Sequence, residues 1–412
     1  MTGNVRHVLI VGGSLTLPAL VHAHDENVRL SAVCRRESLR EYQDLKTFER
    51  LVSVSGHADG SEWVAAARFL NGVDPVDALL TTDDDVAHAA DIGAALALPA
   101  PARRTVDAID RKDLMREILA AAGVDPTPNR IVSAAPEIEA FAARVGYPLI
   151  CKPVRGEGSQ GISRIDGPDD VPRALERARA GTGGLASAEI LVEPFHEGTE
   201  YSVECISEDG SHVVAGITAK YSETEGYVEL GHVVPAPLAD AEAERIGATV
   251  SAALSALGVT HGVTHTEVMV QPDAVRIIET HLRPGGDRIP YMLALARGID
   301  LVGLLVRQCL GEKILDKARR AVASARDIPC YAAIWHAAPD RRGVLKAVEG
   351  VREAAAMEGV REVKLLLEVG QELGDLAESL SRPAHAWTLA DTPEQALSQA
   401  RAAVERLVFV TE

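Results

Sequence analysis

The sequence contains few aromatic residues and few cysteines. Phe, Trp and Tyr make up 4% of the 412 residues, and the five cysteines are scattered without CxxC spacing. An odd number of separated cysteines argues against a disulfide framework and against a structural zinc site. Free thiols are typical of a reducing compartment, so we expect a cytoplasmic protein.

Long apolar runs and clusters of positive charge are also missing. Residues 92–102 form the longest apolar run, which is too short to span a membrane and contains two prolines. The first residues lack the regions of a signal peptide. The 60 Asp and Glu residues outnumber the 42 Lys and Arg residues, which gives a net charge of −18 and no basic stripe. We therefore expect neither a nucleic acid nor a membrane as a partner, and a phosphate must be held locally.

The N-terminal part has the pattern of a Rossmann-like unit. Residues 7–13, HVLIVGG, predict a buried parallel strand followed by a glycine turn, and the next residues can form the helix behind it. Apolar runs at 28–34 and 78–81 extend the unit to about residue 103. A dinucleotide site is the alternative, but the turn lacks the third glycine and no acidic residue ends the second strand. An oxidoreductase is therefore the least favoured interpretation.

A second glycine-rich segment lies at residues 147–162, YPLICKPVRGEGSQGI. The apolar residues before Lys152 predict a buried strand, in which a lysine is costly unless its ammonium group meets an anion. Gly156, Gly158 and Gly161 leave the backbone free to fold over a ligand and offer N–H groups to phosphate oxygens. The lysine precedes the glycines, unlike a P-loop, and GEGSQG is not placed as a dinucleotide fingerprint requires. The segment predicts a polyphosphate clamp, with a solvated lysine and a flexible loop as the alternative.

Residues 265–282 predict a β-hairpin with its turn at residues 271–274. Glu267 and Glu279 are equally far from Asp273 and face each other in a simple antiparallel register, where two negative charges are destabilising. A divalent cation reverses that repulsion, and Mg²⁺ favours one or two carboxylates together with substrate phosphates. The alternative is a β-bulge that turns one glutamate to solvent.

The same face of the second hairpin strand continues beyond Glu279. A period of two places His281, and Arg283 if the strand stays extended, beside the carboxylate pair. Imidazole is an unusual ligand for Mg²⁺, so His281 is only a weak candidate for a metal ligand. It could equally donate a hydrogen bond to a metal-binding residue or be a satisfied polar residue. The hairpin thus predicts a metal site beside an arginine.

Residues 190–204, ILVEPFHEGTEYSVE, form a third candidate segment. The apolar strand ends in a proline-containing bend whose backbone N–H and C=O groups could pair with an adenine edge. Glu200 follows a glycine and could accept hydrogen bonds from ribose hydroxyls. An ordinary strand–turn–strand explains the segment equally well.

These segments occur together in a definite order. RKDLMREILAAAGVDPTP, YPLICKPVRGEGSQGI, ILVEPFHEGTEYSVE, VELGHVVPAP, THTEV and IIETHLRPGGD lie between about residues 111 and 290. In this order and spacing they resemble the ATP-grasp superfamily, and most closely its carboxylate–amine ligase branch, typified by the L-amino acid ligases. The N-terminal unit and a C-terminal region with Gly343, Gly350 and Gly370 also suit that branch, so the resemblance covers the whole chain.

The resemblance implies a chain of mixed α/β and α+β class. A Rossmann-like domain is expected over residues 1–103 and a small α+β domain over residues 316–412. Between them, the resemblance implies an ATP-grasp fold of two α+β subdomains, with the glycine-rich loop in residues 104–188 and the metal site in residues 189–315.

The resemblance also implies roles for individual residues around one Mg-ATP site. For ATP, it implies phosphate contacts by Lys112, Lys152, Gly158, Ser159 and Gln160, an adenine hinge at Glu193 and Phe195, and a ribose contact by Glu200. For Mg²⁺, it implies Glu267 and Glu279, with His281 as a weak third ligand. For the substrate, it implies Glu229, His232, Gly286 and Asp287, together with Arg283, which would steady the transferred phosphoryl group.

Three of these positions carry further expectations. Most of the superfamily has asparagine at the position of His281, which puts the metal shell in doubt but not the two glutamates. Asp287 is expected to border the substrate, and its charge would favour a substrate with an amino group. His232 could deprotonate an incoming amine, because imidazole titrates near neutral pH, or it could equally fix a turn at Gly231.

The function implied by the resemblance is ATP-dependent ligation. A carboxylate attacks the γ-phosphate of Mg-ATP to form an acyl phosphate, an amine attacks that intermediate, and ADP and phosphate leave. The expected cofactors are ATP and Mg²⁺, with Mn²⁺ as a substitute. The expected partners are small-molecule carboxylate and amine substrates and a second copy of the chain in a homodimer. The alternatives are a bicarbonate-activating carboxylase of the same superfamily and a nucleotide-binding regulator without ligase activity.

Overall fold

The computed structural model describes most of the chain, and four β-sheets organise the described part. The described residues are 6–13, 16–41, 45–81, 85–156, 158, 160–181, 189–222, 228–325, 328–339, 341–376 and 378–412.

The N-terminal region is a parallel sheet with helices on both faces. It contains β1 (His7–Val11), α1 (Leu17–His24), β2 (Arg29–Arg35), β3 (Arg50–Val54), α2 (Gly60–Val73), β4 (Ala78–Leu80) and α3 (Val86–Leu96). The strand order is β3-β2-β1-β4, and all neighbours are parallel. Val8 and Ile10 pack with α1, whereas Leu9 and Val11 pack with α2 and α3, so β1 must be apolar throughout. The Rossmann-like prediction for this region is confirmed.

The next sheet is antiparallel and is covered by helices on one face. Its region contains α4 (Arg103–Asp110), α5 (Lys112–Ala121), β5 (Arg130–Val132), α6 (Ala135–Val145), β6 (Leu149–Pro153), β7 (Ser163–Ile165), α7 (Val171–Ala180) and β8 (Ile190–Pro194). The strand order is β5-β8-β6-β7. Leu149 and Cys151 pack against α6 and α7. Because side chains alternate along a strand, Lys152 lies on the opposite face.

The largest sheet has eight strands and extends into the last part of the chain. The region that forms most of this sheet and the helices around it contains β9 (Thr199–Glu208), β10 (Ser211–Ser222), β11 (Glu229–Val234), α8 (Asp240–Ala256), β12 (Gly262–Val270), β13 (Val275–His281), α9 (Ile289–Arg297), α10 (Leu301–Cys309), α11 (Leu315–Ala325) and β14 (Tyr331–His336). The remaining elements are β15 (Gly343–Glu349), α12 (Val351–Ala355), β16 (Val360–Leu365), β17 (Glu372–Leu373), β18 (Ala384–Ala390), α13 (Pro393–Glu405) and β19 (Val408–Thr411).

The order of the large sheet is β13-β12-β9-β10-β11-β14-β18-β16, and a small sheet of order β17-β15-β19 lies beside it. Strand β14 pairs with β11, so the C-terminal strands continue the sheet that carries the β12–β13 hairpin. Helix α8 covers one face of the large sheet through Ile246, Val250 and Leu254, which recur at helical spacing. Helices α9, α10 and α11 contribute to a separate apolar cluster with Ile206 and Val263 of the same sheet.

Among the described residues, no single helix has both the length and the hydropathy of a membrane span. Helices α9 and α10 pass that test only as a pair, and they are bent by 102° at the break between them.

Candidate active site

Both the β5–β8 sheet and the large sheet contribute to one cavity of about 1130 Å³. The cavity brings together most of the residues that the sequence predicts. These are Lys112, Lys152, Gly158, Gln160, Glu193, Phe195, Glu200, Glu229, Glu267, Glu279, His281, Arg283, Gly286 and Asp287. The predicted residue Ser159 lies outside the described residues, and His232 is buried behind the wall. Segment 378–382 of the C-terminal region also contributes to the lining.

Glu267 and Glu279 are opposed on β12 and β13, as predicted, but through a different register. The turn closes with Val270 opposite Val275, a register that would place Glu267 opposite Ile278. A register shift between Glu267 and Val268 leaves Ile278 as an extra residue and brings Glu279 opposite Glu267. The bulge therefore creates the carboxylate pair, whereas the sequence analysis treats a bulge as the alternative to it.

Glu279 has nitrogen partners on two sides. The Lys112 ammonium lies 3.1 Å from Glu279 Oε2 and donates to Gly156 O at 2.6 Å, while His281 Nε2 lies 3.1 Å from Glu279 Oε1. Burial alone raises the pKa of Glu279, but Lys112 and His281 lower it well below its usual value. Glu279 is therefore held as a carboxylate beside the first lysine of the site.

The buried Lys152 meets the anion that its position requires. Its ammonium lies 2.5 Å from Glu193 Oε1 on the neighbouring strand β8. Arg116 of α5 donates to both oxygens of the same carboxylate, from Nε at 2.8 Å and from Nη2 at 3.1 Å. Burial opposes the charge of Glu193, yet Arg116 and Lys152 together keep the pKa of Glu193 below its usual value. The side chain of Glu193 therefore orients Lys152, and its predicted place in an adenine hinge stays a prediction.

The glycine-rich loop needs its glycines for backbone geometry. Gly156, Gly158 and Gly161 have φ angles of 132°, 64° and 74°, which side chains disfavour. At Gly161 an added Cβ would also lie 3.2 Å from the backbone of Ala178. The side chain of Gln160, which lies between Gly158 and Gly161, joins the loop to the C-terminal region, because Nε2 donates to Glu378 Oε2 at 2.5 Å.

Phe195 directly follows β8, Glu200 lies at the start of β9, and both residues line the cavity. The guanidinium carbon of Arg164 lies over the Phe195 ring, 4.4 Å from the ring centroid. The Phe195 N–H donates to Pro148 O. Glu200 Oε1 lies 2.6 Å from the ammonium of Lys220. Phe195 thus offers an aromatic ring at the cavity wall, and Glu200 of β9 pairs with Lys220 of the neighbouring strand β10.

Lys220 joins three predicted residues, although the sequence analysis does not name it. Its ammonium contacts Glu200, Glu229 and, at 2.9 Å, Glu267. Oxygens of the three carboxylates all lie within 4.8 Å of one another. Burial disfavours the charge of Lys220, but the three carboxylates stabilise it and raise the pKa of Lys220. The available signal is GITAKY, a lysine inside an apolar strand, which is the same pattern that identifies Lys152.

Asp287, which lines the cavity, is already paired. Arg382 donates to Asp287 Oδ2 at 2.6 Å and to Oδ1 at 2.7 Å, and His232 Nε2 donates to Oδ2 at 2.9 Å. This pairing compensates the carboxylate charge that the sequence analysis expects to attract a cationic substrate. Arg382 is distant from Asp287 in the sequence and belongs to none of the motifs, so the sequence does not indicate that the two residues are paired.

The environment of His232 differs from both expectations for this residue. Burial disfavours the charged ring, but hydrogen bonds to Asp287 and Glu229 raise the pKa of His232 to about 9. The side chain is 1% exposed, and its raised pKa favours the protonated ring, which disfavours a role as a general base. Gly231 does not form a turn either, because it lies within β11 opposite Trp335.

The segment with Arg283 and Gly286 follows β13 directly along the cavity. Arg283 Nη1 donates to Pro284 O at 3.3 Å. Gly285 N donates to Glu204 Oε2, and an added Cβ at Gly285 would lie 2.7 Å from His265 Nδ1. The buried pair Glu204–His265, which the sequence analysis does not name, therefore fixes how closely this segment approaches the sheet.

Comparison with known proteins agrees with this geometry. Residues 145–290 match a model of the ATP-grasp domain, and residues 335–412 match a model of L-amino acid ligase C-terminal domain 2. An uncharacterized protein y4rH from Sinorhizobium fredii is 32% identical over 279 residues, which cover 66% of this chain and 55% of that protein. The chain thus spans about half the length of this relative.

Solved structures share the fold over the whole chain. An L-amino acid ligase from Bacillus licheniformis superposes with a TM-score of 0.83 at 21% identity and 100% coverage of both chains. The biotin carboxylase domain of a 2-oxoglutarate carboxylase from Hydrogenobacter thermophilus, solved with MgADP and bicarbonate, has a TM-score of 0.71 at 18% identity, covering 99% of this chain and 91% of that chain. These matches show that the chain contains an ATP-grasp domain over residues 145–290 and an L-amino acid ligase C-terminal domain over residues 335–412.

Proposed function

We propose that the chain is an ATP- and Mg²⁺-dependent carboxylate–amine ligase that forms an amide or peptide bond through an acyl phosphate. The observation that carries this proposal is the meeting of Lys112 and Lys152 with the opposed Glu267 and Glu279 in one cavity. Phosphoryl transfer requires mainly positioning and charge neutralisation, and these four side chains can supply both. Amino acid-like substrates are proposed because residues 335–412 match an L-amino acid ligase domain.

The carboxylate pair fits a divalent cation. Two carboxylates in direct cross-strand opposition repel each other, and here Lys112 balances Glu279 while Lys220 balances Glu267. Mg²⁺ prefers such oxygen ligands, so Glu267 and Glu279 would hold it, with His281 as a hydrogen-bond partner of Glu279; Mn²⁺ is a chemically similar substitute. When bound, the ion would neutralise charge on the transferred phosphoryl group.

The remaining roles follow the cavity from one end to the other. Lys112, Lys152 and the loop with Gly158, Ser159 and Gln160 would hold the ATP phosphates, with Glu193 orienting Lys152; Phe195 would contact adenine and Glu200 the ribose. Arg283 would steady the phosphoryl group, and Glu229 and Gly286 would contact the substrate. The same proposal divides the chain at about residues 103, 188 and 315, and it includes a homodimer.

Product analysis tests the reaction class. The purified chain is incubated with Mg-ATP and an equimolar mixture of the twenty standard amino acids, and nucleotides and new amides are identified by mass spectrometry. We expect ADP, phosphate and at least one amide that depends on ATP. Release of AMP and pyrophosphate contradicts the proposal, and incorporation of ¹³C-bicarbonate with ADP release identifies a carboxylase instead.

A substitution at the carboxylate pair tests whether the ATP site is active. Glu279→Gln should lower amino acid-dependent ADP release by at least about 100-fold, because loss of charge stabilisation by a metal ion is worth several kcal/mol. Glu117→Gln, at an exposed position of α5, is the matched control and should keep full activity. Equal amino acid-dependent ADP release by wild type and Glu279→Gln would contradict the role of Glu279, and no such release by either protein would indicate a regulator without ligase activity.

A further inference from the structure

The turn after β13 has an unusual backbone. Asp287 and Arg288 are consecutive non-glycine residues with φ angles of 46° and 61°. Side chains disfavour this left-handed region, and such residues persist only where the surroundings hold them. The turn borders the substrate end of the cavity, so whatever holds it also shapes that end.

The C-terminal region and β11 supply the contacts that hold the turn. Arg382 binds both oxygens of Asp287 in the two-pronged geometry that guanidinium and carboxylate groups favour. His232 of β11 binds the same carboxylate, at 2.9 Å. Arg288 makes an ion pair with Glu362 of β16, at 3.0 Å. Three separate parts of the chain therefore fix two consecutive residues.

Arg382 also connects the turn to β11. Its Nη1 donates to the backbone oxygen of Glu229 at 3.0 Å, and its Nε donates to Ser379 O at 2.6 Å. Arg382 is only 7% exposed but lines the cavity. The Arg382 guanidinium group thus links the backbone of Glu229 to the carboxylate of Asp287, and an oxygen of each carboxylate lies within 4.8 Å of the other.

We propose that Arg382 is a positioning residue, and that the Asp287–Arg382 pair determines which carboxylate and amine substrates the cavity accepts. This inference rests on the proposed function of the same site. The pair acts by fixing the 284–288 turn and Glu229 relative to each other. Asp287 itself does not recruit a cationic substrate, because Arg382 and His232 already compensate its charge.

The first experiment needs no substrate. Amide hydrogen exchange is compared in wild type, Arg382→Met, Asp287→Asn, the double variant, and the control Arg352→Met at an exposed position of α12. We expect exchange in residues 284–290 to rise at least about tenfold in both single variants, with no further rise in the double variant, because the two residues act as one unit. Exchange within the β12–β13 hairpin should stay unchanged, which shows that the variants are folded.

The second experiment separates substrate positioning from nucleotide binding. ADP release is measured while the concentration of the twenty-amino-acid mixture is varied. The mixture concentration that gives half-maximal release should rise at least about tenfold in Arg382→Met and Asp287→Asn, while KM for ATP changes by less than about twofold. Arg382→Lys, which keeps the charge, should recover part of the loss. The amide products identified by mass spectrometry should also become more varied.

Distinct outcomes separate this inference from the proposed function. If wild type makes amides but the variants keep its exchange pattern and its products, the inference is wrong and the proposed function stands. If wild type releases no ADP with the mixture, the proposed reaction is wrong. If the variants also show unchanged exchange at residues 284–290, the Arg382–Asp287 pair does not support the turn, and the inference is wrong as well.

Discussion

Arg116 is a single side chain on which several parts of the site depend. It lies one helical turn after Lys112, is 1% exposed, and donates to Glu193, the partner of Lys152. The same guanidinium group lies 3.3 Å from Asp125 and contacts the backbone oxygen of Ile277 in β13. Both lysines and the strand that carries Glu279 are therefore positioned around one buried cation.

Removing this cation should destabilise the protein. Arg116→Met leaves Glu193 and Asp125 buried with incomplete compensation, a change that typically costs about 3–5 kcal/mol of unfolding free energy. Urea denaturation measures the effect, and Arg104→Met, at an exposed position of α4, is the matched control. A loss below about 1 kcal/mol in Arg116→Met would show that the network around Arg116 is not a support of the fold.

His232 should give the stability a defined pH dependence. Asp287 and Glu229 contact its ring, His336 lies near it, and Arg382 binds both carboxylate residues. The hydrogen bonds to the two carboxylates raise the pKa of His232 from 6.5 to about 9. A raised pKa contributes stability that is fully present below pH 6.5 and is lost as the pH rises to about 9.

The pH prediction is measured as a difference between two proteins. The unfolding free energy of wild type minus that of His232→Gln should fall by about 3 kcal/mol between pH 6.5 and 9, because one pKa unit corresponds to about 1.4 kcal/mol. The subtraction removes other groups that titrate in this range. A difference that does not vary with pH would mean that His232 is not held protonated by these carboxylates.

At the scale of residues, the sequence reveals a buried charge only where its neighbours are apolar. Lys152 is recognisable because it interrupts an apolar strand, and Lys220 in GITAKY has the same signal. Arg116 lies in a helix whose other residues include several charges, so its burial follows only from the tertiary fold. Arg382 cannot be recognised at all, because its partner Asp287 is distant in sequence.

At the scale of elements, the β12–β13 hairpin shows how a correct pairing can arise from a different geometry. The sequence predicts the strands, the turn and the opposition of Glu267 and Glu279. It does not predict the bulge at Ile278, because register depends on how the turn closes and on packing against β9. Period-two patterns therefore identify which side chains share a face more reliably than which residues are paired.

Close packing between β11 and β14 gives a prediction at the same scale. An added Cβ at Gly231 would lie 2.2 Å from the Trp335 ring, so Gly231→Ala must displace one strand from the other. We expect a loss of about 1–3 kcal/mol in unfolding free energy, as is typical of overpacking, and weaker amino acid-dependent ADP release because Glu229 and His232 move with β11.

The control for this substitution is Gly167→Ala. Gly167 has an extended backbone, and no non-adjacent residue in the described part of the chain lies within 4 Å of an added Cβ there. Thermal unfolding and ADP release should match wild type in this control. If Gly231→Ala also matches wild type, the contact between β11 and β14 does not constrain the substrate side of the cavity.

At the scale of the whole molecule, the order of the sheets limits what the sequence can predict. The N-terminal parallel sheet is predictable because its strands are apolar throughout and alternate with helices. The continuation of the large sheet through β14, β18 and β16 is not, since it depends on a pairing between residues about 100 positions apart. That continuation brings Arg382 to the cavity, which is why the part of the cavity around Asp287 is less predictable than the part around Lys112 and Lys152.

We propose that the chain, as a whole molecule, activates a carboxylate by phosphorylation. The most direct measurement uses amino acids labelled with ¹⁸O in their carboxyl groups, together with Mg-ATP and the purified chain. Amide formation through an acyl phosphate transfers one ¹⁸O atom to inorganic phosphate, and we predict labelled phosphate in a 1:1 ratio with ADP and amide. Label in AMP, or unlabelled phosphate accompanying ADP and amide, would contradict the account.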